Sequence, residues 1–305
     1  MDLSEYLTAR QAEIDAALAR ALPSPPECPH VLADAMRYSV TAGGKRLRPL
    51  LCLASADAVS GDRALAMPAA CAIEMIHTYS LIHDDLPAMD NDTIRRGRPT
   101  LHVVAGEGMA ILAGDGLQAE AFRILAREPP TVDPALVARK LRTIDVIATA
   151  AGSTGMVGGQ ALDLAAVTPA PDGRMPPPFD AERLRTMHAK KTGALIHASA
   201  VAGAIMGGGD DSAIEAIDRC GIELGLAFQI VDDILDVEGA SVRLGKTAGK
   251  DAASGKPTYP SLFGVEASRR MARNCIARAE ASLRSGALGD ARLLEIGRWI
   301  VERSN

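Results

Sequence analysis

The chain has 305 residues, 48% of them hydrophobic but only 3% aromatic, and a formal net charge of −5. Abundant Ala and Leu with few aromatics favour helices over strands, and the length suffices for a large core. The interspersed, slightly acidic charge excludes a general nucleic-acid surface, and five scattered cysteines (Cys28, Cys52, Cys71, Cys220, Cys275) without a CxxC pair fit a reducing compartment and exclude a zinc site or disulfide framework.

The first twenty residues are amphipathic and carry acids, without the basic start and apolar run of a signal peptide. No stretch is expected to reach transmembrane length. The expectation is therefore a soluble, cytoplasmic protein without stable membrane insertion. Pro- and Gly-rich segments at 22–29, 87–100, 128–134, 168–180, 207–212 and 239–258 read as loops between long segments of helical spacing. No linker divides the chain, so residues 1–305 are predicted to form one large all-α domain, a helical bundle.

Three predicted helices carry polar side chains on otherwise apolar faces. Near 64–86, Ile73, His77, Ser80 and Asp84 share a face. Near 180–206, Leu184, Met187, Leu195, Ala198, Ala202 and Ile205 form a stripe whose gap is filled by Lys191. Near 211–237, Gly221, Gly225 and Phe228 lead to Asp232 and Asp236. A charge on an inward face must be paired or bound to a metal, so opposite charges aimed inward imply a polar site.

Two acidic motifs carry the chemistry. The first runs from Asp84-Asp85 to Asp90, followed by Arg95-Arg96-Gly97; the second is Asp232-Asp233-Ile234-Leu235-Asp236. Hard carboxylate oxygens suit Mg²⁺, which takes one or two of them together with substrate phosphates. Asp232 and Asp236 are spaced i and i+4, on one helical face. Asp84 and Asp90 would not align on an ideal helix, and Pro87 between them predicts that the helix ends or deforms there. A lone motif of this kind is more often a solvated helix end; two on apolar helices reverse those odds, because clustered carboxylates repel unless cations join them.

Basic partners stand at Gly43-Gly44-Lys45-Arg46-Leu47-Arg48-Pro49, Arg95-Arg96, Lys191-Thr192, Lys246, Lys250 and Lys256. Arginine meets phosphate bidentately and lysine as a point charge. Arg46 and Lys250 read equally well as plain surface residues. Gly245-Lys246-Thr247 is not a nucleotide-binding loop: the required upstream glycine falls on Ala240, and no strand precedes it. The glycines between Gly152 and Gly159 read as sites of helix bending or close packing.

With both acidic motifs, GGKRLRP, RRGRPT, GGQALDL, KTGAL, FQIVDDILD and KPTYP in this order, the chain resembles the short-chain trans-prenyltransferases of the polyprenyl synthetase family, most nearly the bacterial farnesyl diphosphate synthases. The resemblance implies the isoprenoid synthase fold, with a central cavity lined by two Asp-rich helices, and a homodimer. It implies head-to-tail condensation of isopentenyl diphosphate with dimethylallyl or geranyl diphosphate, releasing diphosphate. Asp84, Asp90, Asp232 and Asp236, supported by Asp85 and Asp233, would hold three Mg²⁺. Arg95, Lys191, Thr192, Gln229, Lys246 and Lys256 would complete the grip on the allylic diphosphate. Gly44, Lys45, Arg48, His77 and Arg96 would hold isopentenyl diphosphate without metal. Segment 239–258 would act as a lid. Thr93 and Ala105 depart from residues common in the family, and neither removes an expected ligand.

Tyr79 and Ser80, five and four positions before Asp84, correspond to the floor of the hydrocarbon pocket. Tyr79 lies about 7.5 Å back along a helix, which fits a fifteen-carbon product, but about 140° off the Asp84 face, which fits core packing. Geranylgeranyl and geranyl diphosphate synthases are the neighbouring alternatives. A terpene cyclase would not need Lys45, Arg48 and His77, and a non-catalytic regulatory subunit should lack aspartates that are intact here.

Overall fold

The computed structural model describes residues 2–59, 62–168, 173–174, 177, 180–242, 258–288 and 292–302, with the backbone alone at 239–242. The chain groups into two compact units, residues 1–147 with 202–209, and residues 148–201 with 210–305. The all-α expectation holds: apart from one short hairpin, the described elements are helices.

The first unit begins with α1 (Leu3–Ala21), started by a capping box in which Asp2 accepts from the Glu5 amide and Glu5 accepts from the Asp2 amide. It continues through α2 (His30–Val40), α3 (Leu47–Val59), α4 (Arg63–Asp84), α5 (Leu101–Ala105), α6 (Glu107–Arg127) and most of α7 (Pro134–Ala151). α4 packs against α3 and α6, and Leu50, Leu51, Leu53, Ile73, Met75, Ile76 and Leu117 are fully enclosed. Burial of each such side chain contributes about 1.5–3 kcal/mol. Contrary to expectation, α4 is by length and composition long and apolar enough to cross a membrane, but two-thirds of its apolar window is buried inside the protein. Its apolarity belongs to the core of this unit.

The region expected as a loop at 87–100 contains an antiparallel hairpin, β1 (Ile94–Arg95) with β2 (Arg98–Pro99), in register Ile94 to Pro99. Arg96 and Gly97 form its two-residue turn, both at positive φ (53° and 73°), as a type I′ turn requires.

The second unit holds α8 (Met156–Val167), α9 (Ala181–His188), a π-helical turn (Ala189–Gly193), the start of α10 (Ala194–Gly207), α11 (Asp211–Val242), α12 (Tyr259–Phe263), α13 (Val265–Ser285) and α14 (Arg292–Glu302). α11 and α13 form its main packing pair. The single helix predicted near 180–206 is interrupted by the π turn, yet Leu184, Met187, Leu195, Ala198, Ala202 and Ile205 are all buried, as their spacing predicts. The glycine run serves close packing: a Cβ added to Gly159 would overlap the Lys191 backbone, and one on Gly155 or Gly158 would overlap the carbonyls of Ala150 or Ser153. α11 extends to Val242, past the expected loop start at 239. The rest of that loop, with Lys246, Lys250 and Lys256, lies outside the described residues.

Candidate active site

α4 ends at Asp84, and the chain then turns through Pro87 as predicted. The Asp90 amide donates to the Asp84 carbonyl at 2.9 Å, and the Asp92 amide to the Asp85 carbonyl at 3.2 Å. Asp84 and Asp90 are thus joined by a closed turn. Asp85 is buried, and Arg95 from the hairpin grips it, with Nε 2.8 and 3.0 Å from its two oxygens and Nη2 at 2.6 Å. Arg95 also lies 3.7 Å from Asp92, an acid the sequence reading did not single out.

Beside this turn the same unit gathers a cationic cluster. Gly44, at φ +127°, lies against the Arg96 guanidinium: a Cβ there would sit 2.6 Å from Cζ. Arg96 also donates to the Gly43 carbonyl. Glycine is needed at position 44 both for its backbone conformation and for this approach. The Lys45 carbonyl accepts from Gln11 at 3.0 Å, which pins the loop to α1. His77, half-buried on α4, is held neutral: burial first, then the charges of Arg48, Arg96, Arg95 and Arg46, push its pKa well below the usual histidine range. Burial also lowers the Arg96 pKa.

Arg46 is neither surface nor ligand. It is buried, with Nη1 2.8 Å from Glu74, Nε 2.8 Å from Asp15 and Nη2 2.6 Å from the Val40 carbonyl. Burial opposes its charge, but the neighbouring Glu74 and Asp15 outweigh that and raise its pKa. A buried pair of this kind fixes the glycine-rich loop to α1, α2 and α4.

In the second unit, α11 presents Asp232 exposed and Asp236 half-buried, with Asp233 buried between them. Asp233 accepts from Gln229 at 2.8 Å and from the Tyr259 amide at 2.9 Å. The start of α12 is thereby tied to the acidic motif, and a capping box between Thr258 and Ser261 fixes it locally. The Tyr259 ring lies 5.8 Å from that of His188, the last residue of α9. Lys191 and Thr192 stand in the π turn, and Lys191 Nζ is 2.6 Å from the buried carboxylate of Asp163 on α8. Asp163 lies inside the GGQALDL motif, where nothing in the sequence marks it as the partner of Lys191.

Tyr79 is buried in α4, its ring edge-on to His83 at 5.6 Å. Ser80 donates to the His77 carbonyl at 2.9 Å and is half-buried. His83 lies 3.2 Å from the Ile111 carbonyl, His102 Nδ1 lies 3.1 Å from Thr100 Oγ1, and His188 is buried against the Tyr259 ring.

In both acidic motifs the middle carboxylate is engaged inside the protein, and the outer two are less buried. Among the described residues no three His, Cys, Asp or Glu side chains converge as a ready metal cage. That arrangement still fits Mg²⁺, which uses one or two carboxylates and completes its shell with phosphate and water.

Helices that carry two aspartate motifs, one beside a neutral histidine and several arginines, define an enzyme that acts on organic diphosphates, a trans-prenyltransferase. The polyprenyl synthetase family model matches residues 29–285, and the chain belongs to that family. It is 48% identical over 284 residues to geranylgeranyl pyrophosphate synthase 9, chloroplastic, of Arabidopsis thaliana, covering 92% of this chain and 76% of the relative. It is 42% identical over 310 residues to farnesyl diphosphate synthase of Geobacillus stearothermophilus, covering 100% and 99%. Its structure matches an apo FPP/GFPP synthase from Zymomonas mobilis with a TM-score of 0.84 at 40% identity, covering 98% of each chain. The isoprenoid synthase fold follows from that likeness.

Proposed function

We propose that the enzyme condenses isopentenyl diphosphate head to tail with dimethylallyl and then geranyl diphosphate, and ends at farnesyl diphosphate. One observation carries the two-substrate reading. The first unit places a carboxylate turn, Asp84 to Asp90, beside a separate cationic cluster of Gly44, Arg48, His77 and Arg96. The acids suit a metal-bound diphosphate, and the cations with Lys45 suit a second, metal-free one.

On this reading Asp84, Asp90, Asp232 and Asp236 hold Mg²⁺, three ions in all. When bound, Mg²⁺ draws charge from the departing diphosphate oxygen and so lowers the barrier to C–O ionisation. Asp85 and Asp233 support these ligands through the bonds they make to Arg95, Gln229 and the Tyr259 amide. Arg95, Lys191, Thr192, Gln229, Lys246 and Lys256 complete the grip on the allylic diphosphate. Neutral His77 offers a ring N–H to isopentenyl diphosphate and adds no positive charge. The isopentenyl double bond attacks the allylic cation, and the released diphosphate takes the proton lost from the adduct.

The buried ring of Tyr79, braced by His83, supports a pocket floor suited to fifteen carbons. The likeness to geranylgeranyl synthases favours a twenty-carbon product as the second reading. A cytoplasmic homodimer belongs to the same proposal; exposed Val103, Val104, Ile111 and Leu112 supply apolar surface for pairing.

Product sizing tests the assignment. The protein is given Mg²⁺, isopentenyl diphosphate and, separately, dimethylallyl, geranyl or farnesyl diphosphate, and dephosphorylated products are identified by mass. A fifteen-carbon product with little use of the farnesyl primer is expected. A twenty-carbon product would overturn the chain-length assignment and keep the chemistry.

A further inference from the structure

We propose that Asp163 is a positioning residue that sets Lys191 for its work on the allylic diphosphate. The inference rests on the reading of Lys191 as a diphosphate ligand. Three observations within the second unit carry it. The Asp163 carboxylate is buried, and Lys191 Nζ lies 2.6 Å from it. Lys191 sits at the centre of the π turn Ala189–Gly193, where one extra residue widens the helix. That turn is packed by glycine contacts from two sides. α8 presses on it at Gly159, where a Cβ would overlap the Lys191 backbone. α11 meets it at Gly225, where a Cβ would lie 3.0 Å from the Gly193 Cα.

The physical consequence follows from the chain chemistry of lysine. Its four-carbon stem is flexible, and ordering it costs up to about 2 kcal/mol of rotamer entropy. The packed π turn fixes the backbone of Lys191 but leaves that stem free. The Asp163 carboxylate supplies what the backbone cannot, an anchor for the ammonium before substrate arrives. An ammonium has three donors, so Lys191 can keep Asp163 on one and offer the others to diphosphate oxygens. Lys190, the neighbour, is bound elsewhere, to the Thr154 carbonyl at 2.7 Å. The two lysines are therefore not interchangeable. The acid also tempers the grip: part of the ammonium charge is already answered, so the loss of Asp163 disturbs alignment during ionisation more than ground-state binding.

The test is a double-mutant cycle read by steady-state kinetics with the allylic diphosphate varied, on Asp163→Asn, Lys191→Met and both together. Asp163→Asn is expected to lower kcat by about 10- to 100-fold, the range for partners that orient a ligand, with KM for the allylic diphosphate changed less than about 3-fold. In the Lys191→Met background the same change is expected to cost less than about 2-fold more, because Asp163 acts through Lys191. Asp163→Glu should recover part of the lost kcat. Full additivity of the two changes, or wild-type kcat in Asp163→Asn, would overturn the inference while leaving Lys191 as a ligand. Wild-type kinetics in Lys191→Met would instead remove the underlying ligand assignment. Thermal unfolding of each variant separates misfolding from misalignment: a variant that loses kcat only in step with its folded fraction counts against the proposal.

Discussion

The Asp90 amide donates to the Asp84 carbonyl at 2.9 Å, and this bond closes the turn that joins the ends of the first acidic motif. Helical spacing alone would set the two acids on different faces. The turn depends on Asp85 being held beneath it by Arg95, which reaches both of its oxygens. Asp85→Ala is therefore expected to cost activity through the turn: kcat/KM falls by about 10- to 100-fold, and Arg95→Ala costs at least as much because it also removes a proposed diphosphate contact, with the double variant little worse than Arg95→Ala. Steady-state kinetics on the three variants checks this.

Glu74→Gln is expected to destabilise the protein by about 3 kcal/mol, because Arg46 would keep its charge in a buried site with one partner gone. Urea denaturation followed by circular dichroism measures the loss. A change below about 0.5 kcal/mol would mean that the remaining bonds of Arg46 to Asp15 and the Val40 carbonyl suffice.

Gly159→Ala tests the glycine contact with the π turn. The added methyl meets the Lys191 backbone and must displace it, so kcat/KM for the allylic diphosphate is expected to fall by about 10- to 100-fold. Exposed Ala161→Gly on the same helix is the control and should lose only stability, about 1 kcal/mol.

His188 gives a pH-dependent prediction. Burial brings its folded pKa from 6.5 down to about 4, against the nearby Asp163 charge, which raises it, and with a smaller lowering from Lys191. The unfolded chain therefore binds this proton first as pH falls, so stability is lost between pH 6.5 and about 4 and regained as pH rises. At pH 5 the loss from this group is about 2 kcal/mol relative to pH 8. Thermal unfolding of the protein and of His188→Gln across that range should show a steeper dependence in the former.

Tyr79→Ala is expected to lengthen the product beyond fifteen carbons, because it removes the proposed floor. Chromatography of the dephosphorylated products reads the answer. An unchanged product in folded protein would assign Tyr79 to packing against His83 alone.

The helices and the acidic motifs were legible because helix periodicity and charge on apolar faces are local signals. The stripe from Leu184 to Ile205 shows this, since every member is buried despite the π turn within it. The π turn itself was not legible: it depends on close approach at Gly159 and Gly225, residues distant in sequence from Lys191. Asp163 was not legible for the same reason, since its partner Lys191 lies 28 residues away, whereas Asp92 is three residues from Arg95 but in a turn where no helical pattern marks the pair. Arg46 read as a surface residue because nothing near it in sequence announces Glu74 or Asp15. The hairpin at Ile94–Pro99 was missed because two-residue strands carry no alternation, although Gly97 marked its turn.

The most direct test of the central claim is turnover of isopentenyl with dimethylallyl diphosphate in the presence of Mg²⁺, by the intact enzyme and by Asp84→Ala and Asp232→Ala. The account predicts Mg²⁺-dependent prenyl elongation that falls by at least about 100-fold in either folded variant, because each removes an oxygen ligand from the diphosphate-binding machinery. Near-normal turnover in either variant would contradict the metal assignment, and no elongation by the folded intact enzyme would contradict the proposed reaction.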